Sequence, residues 1–249
     1  MTTAESLIAF VGGLIVGSFV TVVAHRVPRG LSIVGPRSQC PGCGAQIAAY
    51  DNVPVLSWVL LRGRARCCGT SISPLYPLTE LAVGALFAAT VLVHGGDPAE
   101  TAIDLVFVTM LVAIALTDLE RRIIPNKILV AGAIACVAIA LPTDPAGMPE
   151  RLIAAAAAGG LFFLAALAYP AGMGLGDVKL AAVMGLFLGR SVAPAIFVAL
   201  LAGSLVGVAL IARHGAQGRK MAIPFGPFLA LGGLVGMLAG GGLIDLYLG

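Results

Sequence analysis

The sequence predicts an all-α integral membrane protein with about eight transmembrane helices and one small, Cys-containing cytoplasmic loop domain. Of its 249 residues, 59% are hydrophobic and only 11% are charged, whereas roughly a quarter of the residues of a soluble domain are charged. Its apolar segments approach or exceed the roughly 20 residues that a helix needs to cross a bilayer. We expect helices because backbone groups in lipid must be hydrogen-bonded within their own segment.

Eight apolar segments are separated by turn-forming residues and by one longer loop. They cover residues 5–23, 74–94, 101–117, 125–141, 151–170, 177–189, 192–212 and 225–247, and the sixth is the shortest. The first is too long for a signal peptide and lacks a basic flank and a cleavage site, so we interpret it as a retained helix. The chain thus divides into a first transmembrane helix (1–23), a cytoplasmic Cys-containing loop domain (24–73) and a seven-helix transmembrane domain (74–249).

Lysines and arginines predict the orientation of the chain, because cytoplasmic loops are enriched in both residues. With eight spans and the N-terminus outside, all 15 basic residues except Arg151 and Arg190 fall in inside loops. The last inside loop contributes Arg213, Arg219 and Lys220. We therefore expect a multi-pass membrane protein with both termini outside. No basic stretch is interleaved with aromatic residues, so nucleic acid is not an expected partner.

Four of the five cysteines lie in the loop domain, as Cys40 and Cys43 in a C-x-x-C turn and as the adjacent pair Cys67 and Cys68. The cytoplasm is reducing, so a structural disulfide is not expected. Two Cys-rich turns at this separation are typical of a zinc ribbon, in which thiolates hold the metal tetrahedrally. Adjacent thiolates bind one metal with poorer geometry, so a zinc site and unligated thiols both stay open.

Acidic residues are rare in the predicted membrane segments, and an ionisable group there is a functional candidate because burying it is costly. Asp104 and Asp245 fall near the outer ends of their segments, where we interpret them as solvated end residues. Asp118, Asp177 and Glu80 fall toward the inner side. Glu80 is either a third acid of a site or a buried partner for a loop arginine.

Asp118 ends the third segment and Asp177 begins the sixth, so the topology puts both on the same side of the membrane. Two carboxylates a few ångströms apart share a proton because they cannot both ionise readily. One can then activate water as a base while the other polarises a carbonyl as an acid, which hydrolyses a peptide without a metal. The competing interpretations are that Asp177 is a helix cap and that Asp118 pairs with Arg121 or Arg122.

An ordered set of short motifs runs along nearly the whole chain. In order, they are Gly17-Ser18-Phe19, His25-Arg26-Val27-Pro28, Cys40-Pro41-Gly42-Cys43, Tyr50–Trp58, Ile72–Glu80, Ile124-Pro125-Asn126, Gly172–Leu180 and Pro224-Phe225-Gly226-Pro227-Phe228. Together they resemble the type IV prepilin peptidases, the leader peptidases and N-methyltransferases of type IV pilus and type II secretion systems. A lone G-x-G-D motif is weak, but this ordered set on an eight-helix chain is highly specific.

The resemblance implies a membrane aspartic endopeptidase with Asp118 and Asp177 as its catalytic pair. Gly174, Gly176 and Lys179 correspond to supporting positions of the family's G-x-G-D motif. The implied substrates are type IV prepilins or pseudopilins, cut after a glycine in a short basic leader at the cytoplasmic face. The implied partners are the pilus or type II secretion machinery, and peptide cleavage requires no cofactor.

The loop domain carries most of the pattern that the family uses for methyl transfer. The resemblance therefore implies N-methylation of the new N-terminus from S-adenosylmethionine, and zinc held by two C-x-x-C pairs. Cys40, Cys43 and Cys68 match this pattern, but Ala65 occupies the remaining position and Cys67 is the candidate substitute. No Rossmann-type glycine motif locates the S-adenosylmethionine site.

Other functions stay open beside this one. The chain is a peptidase without methyl transfer if the altered cysteine loop is degenerate. A small proton- or cation-coupled transporter is an alternative of another class, although transporters more often place their acids near the midplane in broken helices. A purely structural assembly protein is the third alternative.

Overall fold

The computed structural model describes residues 3–170, 172–215, 217, 221 and 223–248. Arg219 and Lys220, counted above among the inside basic residues, lie outside this set. The described residues form nine α-helices and no β-strand, only two isolated bridges. The helices are α1 Thr3–Arg26, α2 Leu56–Leu60, α3 Leu75–His94, α4 Pro98–Arg121, α5 Asn126–Thr143, α6 Met148–Ala168, α7 Leu175–Leu188, α8 Val192–His214 and α9 Gly226–Leu248. All except the short α2 coincide with the predicted segments, which confirms the predicted all-α membrane fold.

Seven helical stretches among the described residues are long and apolar enough to cross a membrane. The number is one below the eight predicted segments because α7 and α8 are joined by a 3-10 turn at Gly189–Ser191 into one stretch, Leu175–His214. Helix α7 has 14 residues, which corresponds to about 21 Å at a rise of roughly 1.5 Å per residue. It is therefore shorter than the hydrocarbon core of about 30 Å that an average span must cross.

Contacts at the two ends of α7 show that this short helix crosses the bundle by itself. At its first turn, a Cβ on Gly176 would lie 3.1 Å from the Cβ of Ile124, just after the end of α4. At its last turn, the carbonyl oxygens of Leu186 and Phe187 accept hydrogen bonds from the Arg151 guanidinium at 3.4 and 2.6 Å. Arg151 lies at the start of α6, at the opposite end of the bundle.

Helix α8 returns toward the end from which α7 departs. Ser191, just before α8, packs against Gly240 near the end of α9, whereas Gly203 within α8 packs against Phe225 at the start of α9. The start of α9 is in turn fixed at the end of α4, because the Gly226 N–H donates a 2.8 Å hydrogen bond to the Asp118 carboxylate. The helices α7 and α8 are thus antiparallel, as eight separate crossings require.

The chain divides into two compact units, Met1–Gly96 and Asp97–Gly249. In the first, α1 and α3 pack backbone to backbone: a Cβ on Gly13 would lie 2.7 Å from the Cα of Gly84, and one on Gly17 would lie 2.7 Å from the Cα of Glu80. Small residues permit this approach, which is a common basis of helix association in bilayers. The second unit is the bundle α4–α9, with a core that includes Phe107, Leu111, Ile114, Leu180, Met184 and Leu229.

The two acids assigned to outer helix ends differ in their surroundings. Asp245 is exposed, as expected. Asp104 is only 6% exposed, so its interpretation as a solvated end residue is wrong. Asp104, Phe107 and Leu111 recur at the spacing of one helix face, and the two apolar residues are in the core. This face of α4 turns Asp104 into the bundle, within electrostatic range of Cys136.

Candidate active site and cysteine cluster

Asp118 lies in the last turn of α4, where the apolar part of the helix ends. Its side chain is buried, with only 6% of the residue exposed. The helix stops at Arg122, which adopts a left-handed conformation (φ 55°) and donates its N–H to the Asp118 carbonyl at 2.8 Å. The carboxylate itself accepts the Gly226 N–H at 2.8 Å. Arg122 is within electrostatic range of Asp118, but among the described residues neither Arg121 nor Arg122 forms an ion pair with it, so the interpretation of Asp118 as an arginine's partner is wrong.

Asp177 lies in the first turn of α7 and is partly buried. One carboxylate oxygen accepts the N–H of Gly174 at 3.3 Å, so Asp177 helps to close the start of its helix. It does so from the third helical position, because the N-cap residue is Gly174. The bond to Gly174 uses only one of the two carboxylate oxygens of Asp177, so the other oxygen can still take part in proton transfer. Asp177 and Asp118 are within electrostatic range of each other.

Two further contacts hold the segments of the aspartates together. The Lys179 ammonium group donates to the Asn126 side-chain carbonyl at 3.1 Å, which ties α7 to the start of α5. Beside it, Gly176 faces Ile124 so closely that an added Cβ would lie 3.1 Å from the Ile124 Cβ. Glycine at 176 therefore permits the approach of the two chain segments. Of the supporting motif residues, Gly174, Gly176 and Lys179 each make one of the contacts around Asp177.

Gly226 is a site residue that the sequence analysis did not predict. Its N–H is the donor to Asp118, and a Cβ on it would lie 2.8 Å from the Asp118 Oδ2. Gly226 also begins α9, so the positive end of the helix dipole faces the carboxylate. The run Pro224-Phe225-Gly226-Pro227 is one of the motifs of the sequence. The role of Gly226, however, depends on its backbone N–H, which bonds a residue 108 positions earlier in the chain, and such a donor leaves no pattern in the sequence.

The loop domain brings four cysteines together in a second cluster. The Sγ atoms of Cys40, Cys43, Cys67 and Cys68 all lie within 4.8 Å of one another. Cys40 and Cys68 are 3.5 Å apart, and Cys43 and Cys67 are 3.3 Å apart. Tetrahedral zinc with Zn–S bonds of about 2.3 Å requires sulfurs roughly 3.8 Å apart. The four side chains therefore fit a zinc ion, including the adjacent pair whose geometry the sequence left open.

The two cysteine turns have the same backbone hydrogen bonds. In the first, the Cys40 N–H donates to Ala45 and the Gly44 N–H to Cys40, at 2.8 and 2.9 Å. In the second, the Ala65 N–H donates to the Thr70 carbonyl and the Gly69 N–H donates to the Ala65 carbonyl, both at 2.8 Å. Each turn has its glycine at φ 72°.

Because the turns correspond, each cysteine of the second can be compared with a position of the first. Ala65 stands where the first turn has Cys40, and Cys68 stands where it has Cys43. Cys67 occupies the position of Gly42. The thiol of Cys67 thus reaches the cluster from a neighbouring position of the turn, which compensates for the missing ligand at Ala65.

Hydrogen bonds make the thiols of the second turn unequal. The Thr70 hydroxyl, 3.1 Å from the Cys68 sulfur, lowers the pKa of Cys68 to about 6. Hydrogen bonding to Cys43 raises the pKa of Cys67 to about 12. Cys68 is therefore the thiol of this turn that ionises first.

Two family models together match most of the chain. Residues 11–94 match the bacterial peptidase A24 N-terminal domain, and residues 105–212 match the type IV leader peptidase family. A prepilin leader peptidase/N-methyltransferase of Bacillus subtilis is 36% identical over 246 residues, which cover 97% of each protein. The chain belongs to the type IV leader peptidase family. The family predicted from the motifs is confirmed.

Other relatives of this type IV leader peptidase family member are also prepilin leader peptidase/N-methyltransferases. The prepilin leader peptidase/N-methyltransferase of Myxococcus xanthus is 39% identical over 219 residues, 85% of this chain and 64% of the relative. That of Burkholderia pseudomallei is 34% identical over 265 residues, 93% of this chain and 84% of the relative. No solved structure matches. Membership of this family confirms the prediction of an enzyme and gives no support to a transporter.

Proposed function

We propose that the chain is a membrane aspartic endopeptidase in which Asp118 and Asp177 cut the leader from type IV prepilins or pseudopilins. The observation that carries this proposal is the convergence of the two carboxylates at one end of the α4–α9 bundle. Three independent contacts support it: Gly226 to Asp118, Gly176 to Ile124, and Lys179 to Asn126. The shared name of the relatives supports the substrate class.

The environment of each aspartate suggests its role in hydrolysis. An N–H donor or a nearby cation stabilises a carboxylate more than a neutral acid. Asp118 accepts the Gly226 N–H at 2.8 Å, whereas the bond from Gly174 to Asp177 is longer, at 3.3 Å, and Arg122 is within electrostatic range of Asp118. We therefore assign Asp118 as the base. It takes a proton from water, and the oxygen attacks the scissile carbonyl while protonated Asp177 hydrogen-bonds the carbonyl oxygen. When the C–N bond breaks, Asp118 returns its proton to the leaving amine. Neither a metal nor a covalent intermediate takes part.

The second activity that we propose is N-methylation of the new N-terminus. Its methyl group would come from S-adenosylmethionine, and its location would be the loop domain of residues 24–73. The four cysteines Cys40, Cys43, Cys67 and Cys68 would hold zinc as a structural ion that fixes the two turns. Their mutual distances support this assignment and count against the alternative of a degenerate loop that the Ala65 position raised.

We further propose that the protein lies in the bacterial inner membrane with both termini outside and the aspartates at the cytoplasmic face. The distribution of lysines and arginines supports this orientation. It places the aspartates beside the basic leader of a prepilin, which stays in the cytoplasm. The pilus or type II secretion machinery would receive the processed product.

The test is cleavage in detergent of a synthetic leader-plus-helix substrate, with S-adenosylmethionine present and product masses recorded. Asp118→Asn and Asp177→Asn keep the side-chain shape and remove the proton-transfer groups, so each should lower cleavage by at least about 100-fold. Asp245→Asn, at an exposed acid, is the matched control and should cleave normally. Full activity of either active-site variant would refute the mechanism.

The same assay separates the alternative functions. A product heavier by one methyl group supports the second activity, and an unmethylated product supports a peptidase without it. Failure of the well-folded wild type on a panel of prepilins would instead favour a transporter or an assembly protein.

A further inference from the structure

The first unit contains a buried carboxylate that the cleavage reaction does not use. Glu80, in the second turn of α3, is only 6% exposed. Its Oε2 accepts the N–H of Val55 at 2.7 Å. Among the described residues it has no ion-pair partner, whereas Arg66 pairs with Asp51 at 2.8 Å. The interpretation of Glu80 as a partner for a loop arginine is therefore wrong.

The backbone that Glu80 holds is strained. Val55 has φ 59° and ψ −50°, a conformation that is an outlier for a β-branched residue. Neighbouring contacts fix the segment: the Ser57 hydroxyl accepts the Val53 N–H at 3.1 Å and donates to the Tyr50 carbonyl at 3.0 Å. Strain that the surroundings maintain in this way is concentrated at functional sites.

The hydrogen bond to Val55 does not explain why residue 80 is acidic. A glutamine would accept the same N–H and would lose far less solvation free energy on burial. A negative charge is useful at this place if a cation binds there. Methyl transfer to an N-terminus involves such a cation, because the amine that cleavage releases is protonated at neutral pH.

We propose that Glu80 binds the new N-terminal ammonium group of the cleaved pilin and removes its proton before methyl transfer. This inference rests on the proposed methyltransferase function. The ammonium proton moves to a Glu80 carboxylate oxygen, and the free amine attacks the methyl carbon of the sulfonium donor. A C–N bond forms, and the C–S bond breaks with its electron pair on sulfur. The products are a secondary ammonium and a thioether, and Glu80 later releases its proton to water.

Glu80→Gln tests the charge alone, because the amide oxygen can still accept the Val55 N–H. We expect methylation to fall by at least about 100-fold, while leader cleavage in the same sample shows that the protein is folded. Thr79→Val, which alters the neighbouring buried residue of α3 at constant shape, should methylate normally. Normal methylation by Glu80→Gln, or loss of cleavage together with methylation, would overturn the proposal.

A binding measurement tests the same site without S-adenosylmethionine. Wild type should bind a mature pilin peptide with a free N-terminus at least about tenfold more tightly than its N-acetylated form, since a charged hydrogen bond is lost. Glu80→Gln should abolish this preference, and Asp177→Asn should retain it. Loss of the preference in Asp177→Asn but not in Glu80→Gln would place the ammonium at the aspartates and refute the proposal. If wild type shows the preference but never methylates, the proposed methyl transfer fails and the amine site stands.

Discussion

Cys67 is the residue on which the proposed metal binding by the loop domain depends. The second cysteine turn has Ala65 where the first has Cys40, so one ligand of a C-x-x-C pair is missing. Cys67 lies two residues farther along the turn, with its sulfur 3.3 Å from that of Cys43. A shift of two positions within one turn thus restores a set of four sulfurs, because the turn backbone keeps its hydrogen bonds.

Cys67→Ser should therefore weaken zinc binding in the purified protein. Serine keeps the size of the side chain but is a poor zinc ligand, and thiolate is the group that structural zinc sites use. We expect affinity to fall by more than the roughly 10- to 100-fold that follows loss of an outer-shell partner. Zinc per mole of protein, measured after dialysis against a weak chelator, gives the result.

Cys136→Ser is the matched control for this variant. Cys136 lies in α5 with its sulfur 3.7 Å from the Leu186 carbonyl, and a serine hydroxyl can donate to the same oxygen. The Cys136→Ser variant should retain the zinc content of wild type. Equal zinc in Cys67→Ser and wild type would show that Cys67 is not a ligand.

At the scale of a secondary-structure element, the start of α9 positions Asp118. The helix presents its first N–H to the carboxylate, and the close contact leaves no room for a side chain at Gly226. The carboxylate is thereby held by an element that begins 108 residues after it. The proposed active site is thus built from α4, α7 and α9 rather than from the two aspartate-bearing helices alone.

Gly226→Ala should lower prepilin cleavage by about 100-fold, since a displacement of about 1 Å at a reacting group has that effect. The new Cβ would lie 2.8 Å from the Asp118 Oδ2 and 3.1 Å from its Cβ and Cγ, so the carboxylate must move. Gly241→Ala is the control, because nothing lies within 4 Å of its added Cβ. We expect the control to cleave at the wild-type rate; equal rates for both variants would mean that α9 does not position Asp118.

Helices were predictable from this sequence where their lengths and apolar composition match a bilayer. The five-residue helix α2 was not, because Leu56–Leu60 is too short to show a period. Asp104 was misread because its place near a helix end suggested solvent, although Phe107 and Leu111 mark its face as buried. Gly226 was missed for a different reason: its function is performed by a backbone N–H, which every residue except proline possesses.

At the scale of the whole molecule, the direction of α8 decides the topology. Length and composition give seven spans because α7 and α8 form one continuous stretch. Packing gives eight, because Ser191 contacts Gly240 in the second half of α9 and Gly203 contacts Phe225 just before its start. The distribution of basic residues also favours eight spans. With eight, Arg213 lies inside with most of the other basic residues, and Arg190 lies outside.

Reporter fusions after Gly96, after His214 and after α9 distinguish these topologies. With eight spans, alkaline phosphatase, which is active only outside the cytoplasm, should be active after Gly96 and after α9 and inactive after His214. With seven spans, the phosphatase should instead be active after His214 and inactive after α9. The fusion after Gly96 should be active in both cases and is the internal control. A fluorescent protein that folds only in the cytoplasm should give the complementary pattern. Since α8 reaches Phe225 only by reversing the direction of α7, an active phosphatase after His214 would contradict the antiparallel packing of these two helices.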